Sequence, residues 1–268
     1  MVIGPERVKA LRPASVVESM AIMSQVTESG LLSGRVRLRQ PAAGYRAGMD
    51  AALLAAAVAA NPGERVIEAG CGAGGALMQV AARCLGVGLF GLERDATMVD
   101  LARGNAALNG VADRVEARAG DVAVGFRALD LPPFDWAISN PPFFDDARAM
   151  RAPGPGKRDA WMADDGLAAW TRFLLKAVRE GGHVVMIHRA DRLADLLALL
   201  GDKAGSFAIR PIHPFADQPA KRVLVRATKT GKAPLRLLPP LVMHERDSEA
   251  KHTPAAEAVL RGEAALDW

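Results

Sequence analysis

The stretch Ser139-Asn140-Pro141-Pro142-Phe143-Phe144 contains the residue types needed to hold a planar group that carries an amine. Neither proline can donate a backbone hydrogen bond, so the apolar run 134–139 must end as a strand at Asn140. The side-chain oxygen of Asn140 and the carbonyl of Pro141 can each accept one amine N–H, while one of the two phenylalanine rings can stack on the planar group. The alternative is an ordinary Asn-Pro turn followed by core phenylalanines.

A glycine-rich loop is the second stretch of the chain that could bind a ligand. Gly70, Gly72 and Gly74 directly follow a short apolar strand, 66–69, and precede a predicted helix, 76–84. Glycines let the backbone approach a ligand and aim amide groups at it, which is typical of nucleotide-cofactor sites. The spacing is Gly-x-Gly-x-Gly rather than Gly-x-Gly-x-x-Gly, which disfavours the dinucleotide-binding fold.

Acidic residues follow the next two predicted strands. Glu93 ends the strand 88–93, about twenty residues past the glycine loop, where a carboxylate can accept both ribose hydroxyls of an adenosine-containing cofactor. Asp121 follows the strand 115–119 as a second acid. Because parallel strands end at one edge of a sheet, we expect these acids, the glycine loop and Asn140 to meet there.

Alternating strands and helices position these groups. The pattern predicts helices over 50–60 (with Asp50 as N-cap), 76–84, 95–109, 165–180 and 191–200. It predicts strands over 35–39, 66–69, 88–93, 115–119, 134–139, 183–188, 207–212 and 222–228. No helical pattern separates the last two strands, so one of them should run antiparallel to the rest, and 235–243 should add an extended edge segment.

The same sequence pattern predicts the domain organisation. We expect residues 1–33 to be a loose N-terminal extension and residues 34–268 to form one domain. The polar segment 145–159, with Pro-Gly-Pro-Gly in its middle, is predicted to be a mobile loop that folds over a substrate. Trp136 is expected in the core, whereas Phe144 and Trp161 could be core or could contact the base.

Composition excludes several classes of protein. The chain has 268 residues, half of them hydrophobic, and no apolar run of membrane-spanning length. Its N-terminal segment lacks the apolar core of a signal peptide. Cys71 and Cys84 form neither a metal-ligand spacing nor a disulfide framework, and the five histidines show no ligand spacing. We therefore expect no metal and a reducing, cytoplasmic location.

The net charge of +4 is unevenly distributed. Residues 203–236 contain eight basic residues and one acid. A second basic cluster consists of Arg35, Arg37, Arg39 and Arg46. Basic blocks suit a polyanion such as nucleic acid, and a solvated strand surface is the alternative interpretation.

Together these motifs resemble the class I S-adenosylmethionine-dependent methyltransferases. Asn140-Pro141-Pro142-Phe143 resembles the branch of that class that methylates amino groups. The flanking stretches 40–46, 50–54 and 242–258 are most similar to the bacterial tRNA(Val) adenine-37 N6-methyltransferase group. The resemblance covers about residue 32 to the C-terminus. It implies a Rossmann-like α/β fold with a seven-stranded, mostly parallel sheet, one antiparallel strand and helices on both faces.

The resemblance also implies S-adenosylmethionine as cofactor and a role for each residue that binds it. Gly70, Gly72 and Gly74 would cradle the methionine part, with Glu68 near its amino group and Glu93 on the ribose. Asp121 would bond the adenine amine, although a turn cap is the alternative for this residue. Tyr45, Arg46 and Asp50 would close the cofactor side of the site. Asn140 would also contact the cofactor from the Asn-Pro-Pro turn, called the acceptor turn below.

The implied catalytic residues are Asn140, Pro141, Pro142 and Phe143. Asn140 and Pro141 would hold the target amine, and Phe143, where many relatives carry Tyr, would stack on the base. The implied reaction is direct methyl transfer to the N6 amine of an adenine in RNA, with tRNA as the expected substrate. Two alternatives remain: a protein-glutamine N5-methyltransferase, whose acceptor is also a planar amide nitrogen, and a non-catalytic RNA-binding module of the same fold.

Overall fold

In the computed structural model, residues 26–43, 46–142 and 165–268 are described. The strands in these ranges are β1 (Val26–Leu31), β2 (Val36–Pro41), β3 (Arg65–Ala69), β4 (Gly88–Glu93), β5 (Val115–Ala119), β6 (Phe134–Ser139), β7 (Val178–Arg189), β8 (Ala204–His213), β9 (Arg222–Lys229), β10 (Arg236–Leu237) and β11 (Leu241–Val242). The α-helices are α1 (Met49–Ala56), α2 (Gly75–Arg83), α3 (Ala96–Leu108), α4 (Asp165–Ala177), α5 (Leu193–Gly201) and α6 (Pro254–Arg261). The predicted substrate loop, 145–159, lies outside the described residues.

Nine of the described strands form one sheet in the order β10-β8-β9-β7-β6-β3-β4-β5, with β11 also paired to β8. β9 runs antiparallel to β7 and β8, and the other pairs in this sheet are parallel. The eight predicted strands are all present: seven lie in this sheet, and 35–39 is β2 of a separate hairpin. The sheet has nine strands rather than the expected seven, because the predicted edge segment contributes β10 and β11, and its single antiparallel strand is confirmed. From β3 the chain adds β4 and β5 on one side and then β6 on the other. The crevice outside the ends of β3 and β6 is therefore the switch point where open α/β sheets bind ligands.

Helices cover both faces of the sheet and create two cores. The first core joins α1, α2, α6 and the β1–β2 hairpin to one face, with Leu54 and Leu77 packed near Val66. The second joins α4 and α5 to the other face, with Leu174 near Ile67. Neighbouring residues of a strand thus enter opposite cores, which explains why the central strands read as continuous apolar runs.

The start of the domain differs from the sequence prediction. Val26–Leu31 was expected to be a loose extension, but it forms β1 and pairs antiparallel with β2 along its whole length. The connecting turn contains Gly34, at a φ of 84°, but Leu32 and Ser33 before it also adopt positive φ angles of 50° and 57°, which non-glycine residues seldom do. Leu32 is buried, and its carbonyl accepts a 3.2 Å bond from Nε of Arg35. Nη2 of Arg35 donates to the carbonyls of Arg261 (2.9 Å) and Gly262 (2.8 Å), so tertiary contacts fix the turn. Residues 1–25 lie outside the described residues.

The helix predicted over 50–60 is shorter, and its cap assignment was wrong. Gly48 occupies the N-cap position without a side-chain cap, and Asp50 lies in the first turn. The helix ends at Ala56, because the C-terminal segment takes its last carbonyls: the amide of Leu266 donates to Ala56 (3.0 Å) and Nε1 of Trp268 donates to Ala57 (2.7 Å).

Two further boundaries differ. The helix predicted over 165–180 ends at Ala177, and β7 begins at once with Val178, which pairs with Phe134. Gly181 has a φ of 74° in the irregular part of this strand, so the glycine pair marks a bulge rather than the helix end. The helix predicted over 95–109 is observed as α3, and Asp95 is its N-cap, because the side chain of Asp95 accepts a 2.8 Å bond from the amide of Thr97.

Candidate active site

The sheet brings the predicted groups to one edge. Ala69, the last residue of β3, pairs with Ser139 of β6 and with Leu92 of β4. Gly70 and Asn140 therefore leave adjacent strands side by side, and neighbouring strands lie about 4.8 Å apart. Glu93 ends β4 at the same edge. It pairs with Ala119, which directly precedes Gly120 and Asp121.

The glycine loop is shaped as a cradle. Gly70, Gly72 and Gly74 have φ angles of 70°, 54° and 85°, in the left-handed region that favours glycine. A Cβ on Gly70 would collide with the ring of Trp170, whose Cζ3 would lie 2.9 Å away. A Cβ on Gly72 would meet no described atom within 4 Å, so open space lies above the middle of the loop. That space is where a bound molecule would touch the backbone.

Hydrogen bonds fix this loop to the end of β4. The amides of Gly70 and Cys71 donate to the carbonyl of Leu92, at 2.8 and 3.1 Å. The amide of Gly72 donates to Oε2 of Glu93 at 2.9 Å, and Oε1 accepts from Asp95 at 2.9 Å. Each carboxylate oxygen retains a second lone pair, so Glu93 can still accept a ribose hydroxyl while its orientation is fixed.

Glu68 lies beneath the loop. Its side chain is buried, and Oε2 accepts a 3.1 Å bond from the amide of Leu77 near the start of α2. Burial raises the pKa of Glu68 well above its usual range, the charge of Glu93 raises this pKa further, and the Leu77 bond opposes both. Glu68 therefore ties β3 to α2, and its contact with the amino group of the cofactor stays a prediction.

Asp121 follows β5 and caps a turn. Its Oδ1 accepts a 2.9 Å bond from the amide of Ala123, at the start of the short 3-10 helix Val122–Val124. The turn-cap interpretation is thus observed directly. Because Asp121 also lies at the ligand edge and is only half-buried, its contact with the adenine of the cofactor stays a prediction.

The acceptor turn starts at Asn140, directly after a strand end that is held in place by a neighbouring strand. The hydroxyl of Ser139 donates a 2.9 Å bond to the carbonyl of Ala69, which fastens the end of β6 to β3. Asn140 is half-buried with its Oδ1 atom inside the protein, Pro141 is buried and Pro142 is exposed. Phe143 lies outside the described residues. The grip of Asn140 and Pro141 on an amine stays a prediction.

The stretch expected to close the cofactor side packs against the start of α2 through Ala47, while Arg46 bonds to the hairpin. Nη1 of Arg46 donates to Oγ1 of Thr27 (2.7 Å) and to the carbonyl of Pro41 (3.1 Å), so this side chain holds the hairpin. A Cβ on Gly75 would collide with Ala47, which shows how closely residues 46–48 pack on the start of α2.

Asp50 holds another part of the structure. Its Oδ2 accepts a 3.1 Å bond from Nε of Arg222, which joins α1 to β9. Tyr45, the third residue of the predicted closing set, lies outside the described residues. A cofactor role for Tyr45, Arg46 and Asp50 stays a prediction.

Sequence reasoning missed two residues at the site. Trp170 of α4 packs its ring against Gly70, and Asn105 of α3 donates a 2.8 Å bond from Nδ2 to the carbonyl of Ala73 in the loop. Trp170 gave no signal, because an apolar residue in an amphipathic helix looks like ordinary core. Asn105 did give a signal in the sequence, because Asn109 follows it by four residues and therefore lies on the same face of the helix.

A separate depression lies at the opposite edge of the sheet. It is lined by the first residues of four strands and by charged groups that already serve the fold. Arg65 stacks over Phe134 at 4.2 Å, Nε of Arg103 donates to the carbonyl of Ala117, and Arg114 donates to carbonyls near the end of α2. None of the predicted site residues lines it, so the ligand edge remains the candidate site.

The described part of the chain shows neither a metal site nor a membrane-spanning helix. No group of three or more His, Cys, Asp or Glu side chains there is arranged to hold a metal ion. None of the described helices combines the length and apolar character needed to cross a membrane.

The fold is similar to that of solved methyltransferase structures. A protein described as a predicted O-methyltransferase, from Agrobacterium tumefaciens, is 32% identical with a TM-score of 0.67, and the match covers 81% of this chain and 98% of that one. With the strand order, the glycine loop and the acid that ends β4, this likeness shows that the chain belongs to the class I S-adenosylmethionine-dependent methyltransferases. Within that class, residues 46–152 match the model of the methyltransferase small domain family.

Curated relatives match over shorter stretches. A tRNA1(Val) (adenine(37)-N6)-methyltransferase from Phocaeicola vulgatus is 31% identical over 44% of this chain and 48% of its own. A 23S rRNA (uracil(1939)-C(5))-methyltransferase from Acidithiobacillus ferrooxidans is 34% identical over 37% of this chain and 22% of its own. The chain therefore spans half or less of the curated relatives that it matches.

S-adenosylmethionine is the cofactor of this class, and the residues at the ligand edge fit it. The open space above Gly72 would admit the methionine part, and the fixed carboxylate of Glu93 has lone pairs for the ribose hydroxyls.

Proposed function

We propose that the protein transfers a methyl group from S-adenosylmethionine to the exocyclic N6 amine of an adenine in RNA, with tRNA as the substrate. The observation that carries this proposal is the pairing of Ser139 with Ala69. Because of that register, Asn140 and Gly70 start their turns side by side. An amine held by Asn140 and Pro141 would then face a molecule cradled by the glycine loop.

The acceptor chemistry requires positioning more than it requires a reactive side chain. The lone pair of an adenine N6 amine is delocalised into the ring, so the free amine is a poor nucleophile. Donation of its two N–H groups to Asn140 and Pro141 would favour a pyramidal nitrogen and aim the lone pair at the methyl group. When bound, the cofactor supplies an electrophilic methyl carbon on a sulfonium. Catalysis then rests on orientation and electrostatics, and one amine proton leaves to water.

The outer face of the β1–β2 hairpin supports a nucleic-acid substrate. The side chains of Arg37 and Arg39 are 55% and 52% exposed, and both contact the single acid Glu28 on the neighbouring strand. Two cations against one anion leave a net positive face, and Arg46 adds a third guanidinium at the end of the hairpin. Such a face attracts phosphates, and this attraction is screened by salt.

The names of the two curated relatives both specify an RNA substrate, which adds support for RNA as the class of acceptor. Methylation of a base inside a helix would require the base to leave its stack, at a cost of a few kcal/mol. Stacking on an aromatic side chain could return about 1–3 kcal/mol of that cost.

The Asn-Pro-Pro turn also separates nitrogen acceptors from oxygen acceptors. A hydroxyl has one hydrogen to donate, so it would leave one of the two acceptors, Asn140 or Pro141, without its bond. An amine satisfies both. The side-chain amide of a protein glutamine also has two N–H groups to donate, so methylation of a protein glutamine is the second candidate function.

Methyl transfer from labelled S-adenosylmethionine tests the proposal. The full chain is incubated with total RNA and with total protein from cells that lack it, and the products are hydrolysed and separated. We expect label in N6-methyladenosine from the tRNA fraction. Label in protein glutamine would replace the proposal with the second candidate, and label in a 2′-O-methyl nucleoside would contradict the amine argument.

A further inference from the structure

We infer that Asn105 is a positioning residue for the cofactor, because it fixes the glycine loop to the β1–β2 hairpin. Its side chain is completely buried. Oδ1 accepts a 2.8 Å bond from the amide of Arg39, and Nδ2 donates to the carbonyls of Arg39 and Ala73, each at 2.8 Å. The inference rests on the cofactor of the class and is independent of the acceptor.

Asn109 repeats half of this arrangement one helical turn later. Its Oδ1 accepts from the amide of Arg37 at 2.8 Å, and its Nδ2 donates to the carbonyl of Arg37 at 2.7 Å. Residues four apart in a helix rise by about 6 Å, and residues two apart in a strand rise by about 6.7 Å. The two carboxamides therefore match the open edge of β2 and pair with it as a neighbouring strand would.

The two asparagines differ at the glycine loop. The third bond of Asn105 goes to Ala73, whereas the third bond of Asn109 goes back to the carbonyl of Asn105 within the helix. Both asparagines thus hold the hairpin, and Asn105 also holds the loop.

The bond to Ala73 fixes one peptide plane in the cradle. The carbonyl of Ala73 is held by Asn105, and the N–H group of the same peptide, on Gly74, donates to Cys71 at 2.9 Å. The amide of Gly72 is held by Glu93. Both peptides that flank the Gly72–Ala73 unit are therefore fixed in orientation.

Loss of the Asn105 side chain would free this peptide. The carbonyl of Ala73 would lose its partner, and Gly74, at a φ of 85°, would gain access to other conformations that a glycine tolerates equally well. The cofactor would then have to order the loop as it binds, which weakens binding. The hairpin that carries Arg37 and Arg39 would influence cofactor affinity through this contact.

Titration calorimetry of the full chain with S-adenosylhomocysteine tests this inference, with Asn109→Ala as the matched control. Asn105→Ala should raise the dissociation constant about tenfold or more, and Asn109→Ala should change it less than about twofold. Urea unfolding of both variants shows whether they lose similar stability. In steady-state assays, Asn105→Ala should raise the KM for the cofactor far more than it lowers kcat.

A second variant covers the case in which Asn105→Ala does not fold. Asn105→Asp keeps the acceptor for the amide of Arg39 and removes the donor to Ala73, so it should lose cofactor affinity at least as strongly. An unchanged dissociation constant for either Asn105 variant would overturn the inference. An equal loss in Asn109→Ala would also overturn it, because general loosening of the hairpin would then explain the effect.

Discussion

Gly72 and Glu93 hold each other in place across the ends of β3 and β4. The amide of Gly72 donates a 2.9 Å bond to Oε2 of Glu93, and the other carboxylate oxygen accepts from Asp95. The acid that would receive the ribose is thus oriented before any ligand arrives. Such preorganisation reduces the ordering that binding would otherwise require.

Replacement of Glu93 should weaken binding of the cofactor more than it affects any other step of the reaction. Glu93→Gln keeps one acceptor oxygen and removes the charge, so S-adenosylhomocysteine affinity should fall about 10- to 100-fold, the usual size for bonds to a charged group. Titration calorimetry provides the measurement. Asp100→Asn, which neutralises an exposed acid of α3, is the control and should bind normally. Equal affinity in the wild type and Glu93→Gln would remove Glu93 from the cofactor site.

Replacement of Asn140 should separate catalysis from cofactor binding. Asn140→Ala removes one of the two proposed acceptors for the amine, so kcat should fall about 10²- to 10³-fold, as it does when one preorganised polar group is lost. The dissociation constant for S-adenosylhomocysteine should stay within about twofold of the wild type.

The neighbouring residue supplies the control for Asn140. Ser139→Ala removes the 2.9 Å bond to the carbonyl of Ala69, so it should cost about 1 kcal/mol of stability and leave turnover nearly unchanged. Normal turnover by Asn140→Ala would refute the proposed role of the turn.

A methyl group at Gly70 should destabilise the fold. Gly70 has a φ of 70°, and its Cβ would collide with Trp170, so Gly70→Ala should lower the free energy of unfolding by about 2–4 kcal/mol. Chemical denaturation measures the change. Gly104→Ala lies in α3 with no atom near the new Cβ, and it should stabilise by about 0.5–1 kcal/mol. Adding Trp170→Phe to the Gly70 variant should recover part of the loss; no recovery would contradict the predicted clash.

His188 should make the fold sensitive to acid. It is buried near the end of β7, and burial, together with the charges of Arg189, Arg192 and Arg222, lowers its pKa to about 4 from an ordinary value of 6.5. A histidine with a lowered pKa stabilises the fold above its unfolded pKa, and this contribution disappears as pH falls towards the folded pKa. The wild type should therefore lose up to about 3 kcal/mol between pH 6.5 and 4.

His188→Gln should remove that part of the pH dependence. Denaturation of the wild type and the variant at several pH values between 4 and 7.5 compares their slopes. The difference between the two free energies of unfolding should be constant above about pH 7 and should change steadily below it. Parallel curves throughout would show that the fold does not lower the pKa of His188.

Much of the sheet could be predicted from the sequence. The strands 88–93, 115–119 and 134–139 match the observed boundaries of β4, β5 and β6. These strands contribute to a parallel sheet with covered faces, so local patterning and tertiary burial agree. The alignment of Glu93, the glycine loop and Asn140 at one edge followed from parallel pairing alone.

The hairpin could not be predicted in the same way. β1 reads Val-Thr-Glu-Ser-Gly-Leu, which has no apolar alternation, and its turn contains two non-glycine residues with positive φ. The order of the hairpin comes from partners far away in sequence, chiefly Asn105 and Asn109 on α3. The same asparagines read locally as ordinary polar helix residues. Only their spacing of four, set against the edge of a strand, reveals their task.

The contact between Arg39 and Asn105 spans 66 positions of the chain, and it reaches the ligand cradle through Ala73. The cradle is therefore a product of the assembled domain rather than of its own six residues. Closing so long a loop costs conformational entropy, and this cost slows the formation of the contact. Native helix content should therefore return before ligand-binding competence during refolding. Stopped-flow circular dichroism and a fluorescent cofactor analogue would resolve the two phases. A peptide copied from 66–75 would carry the glycines and still lack the site.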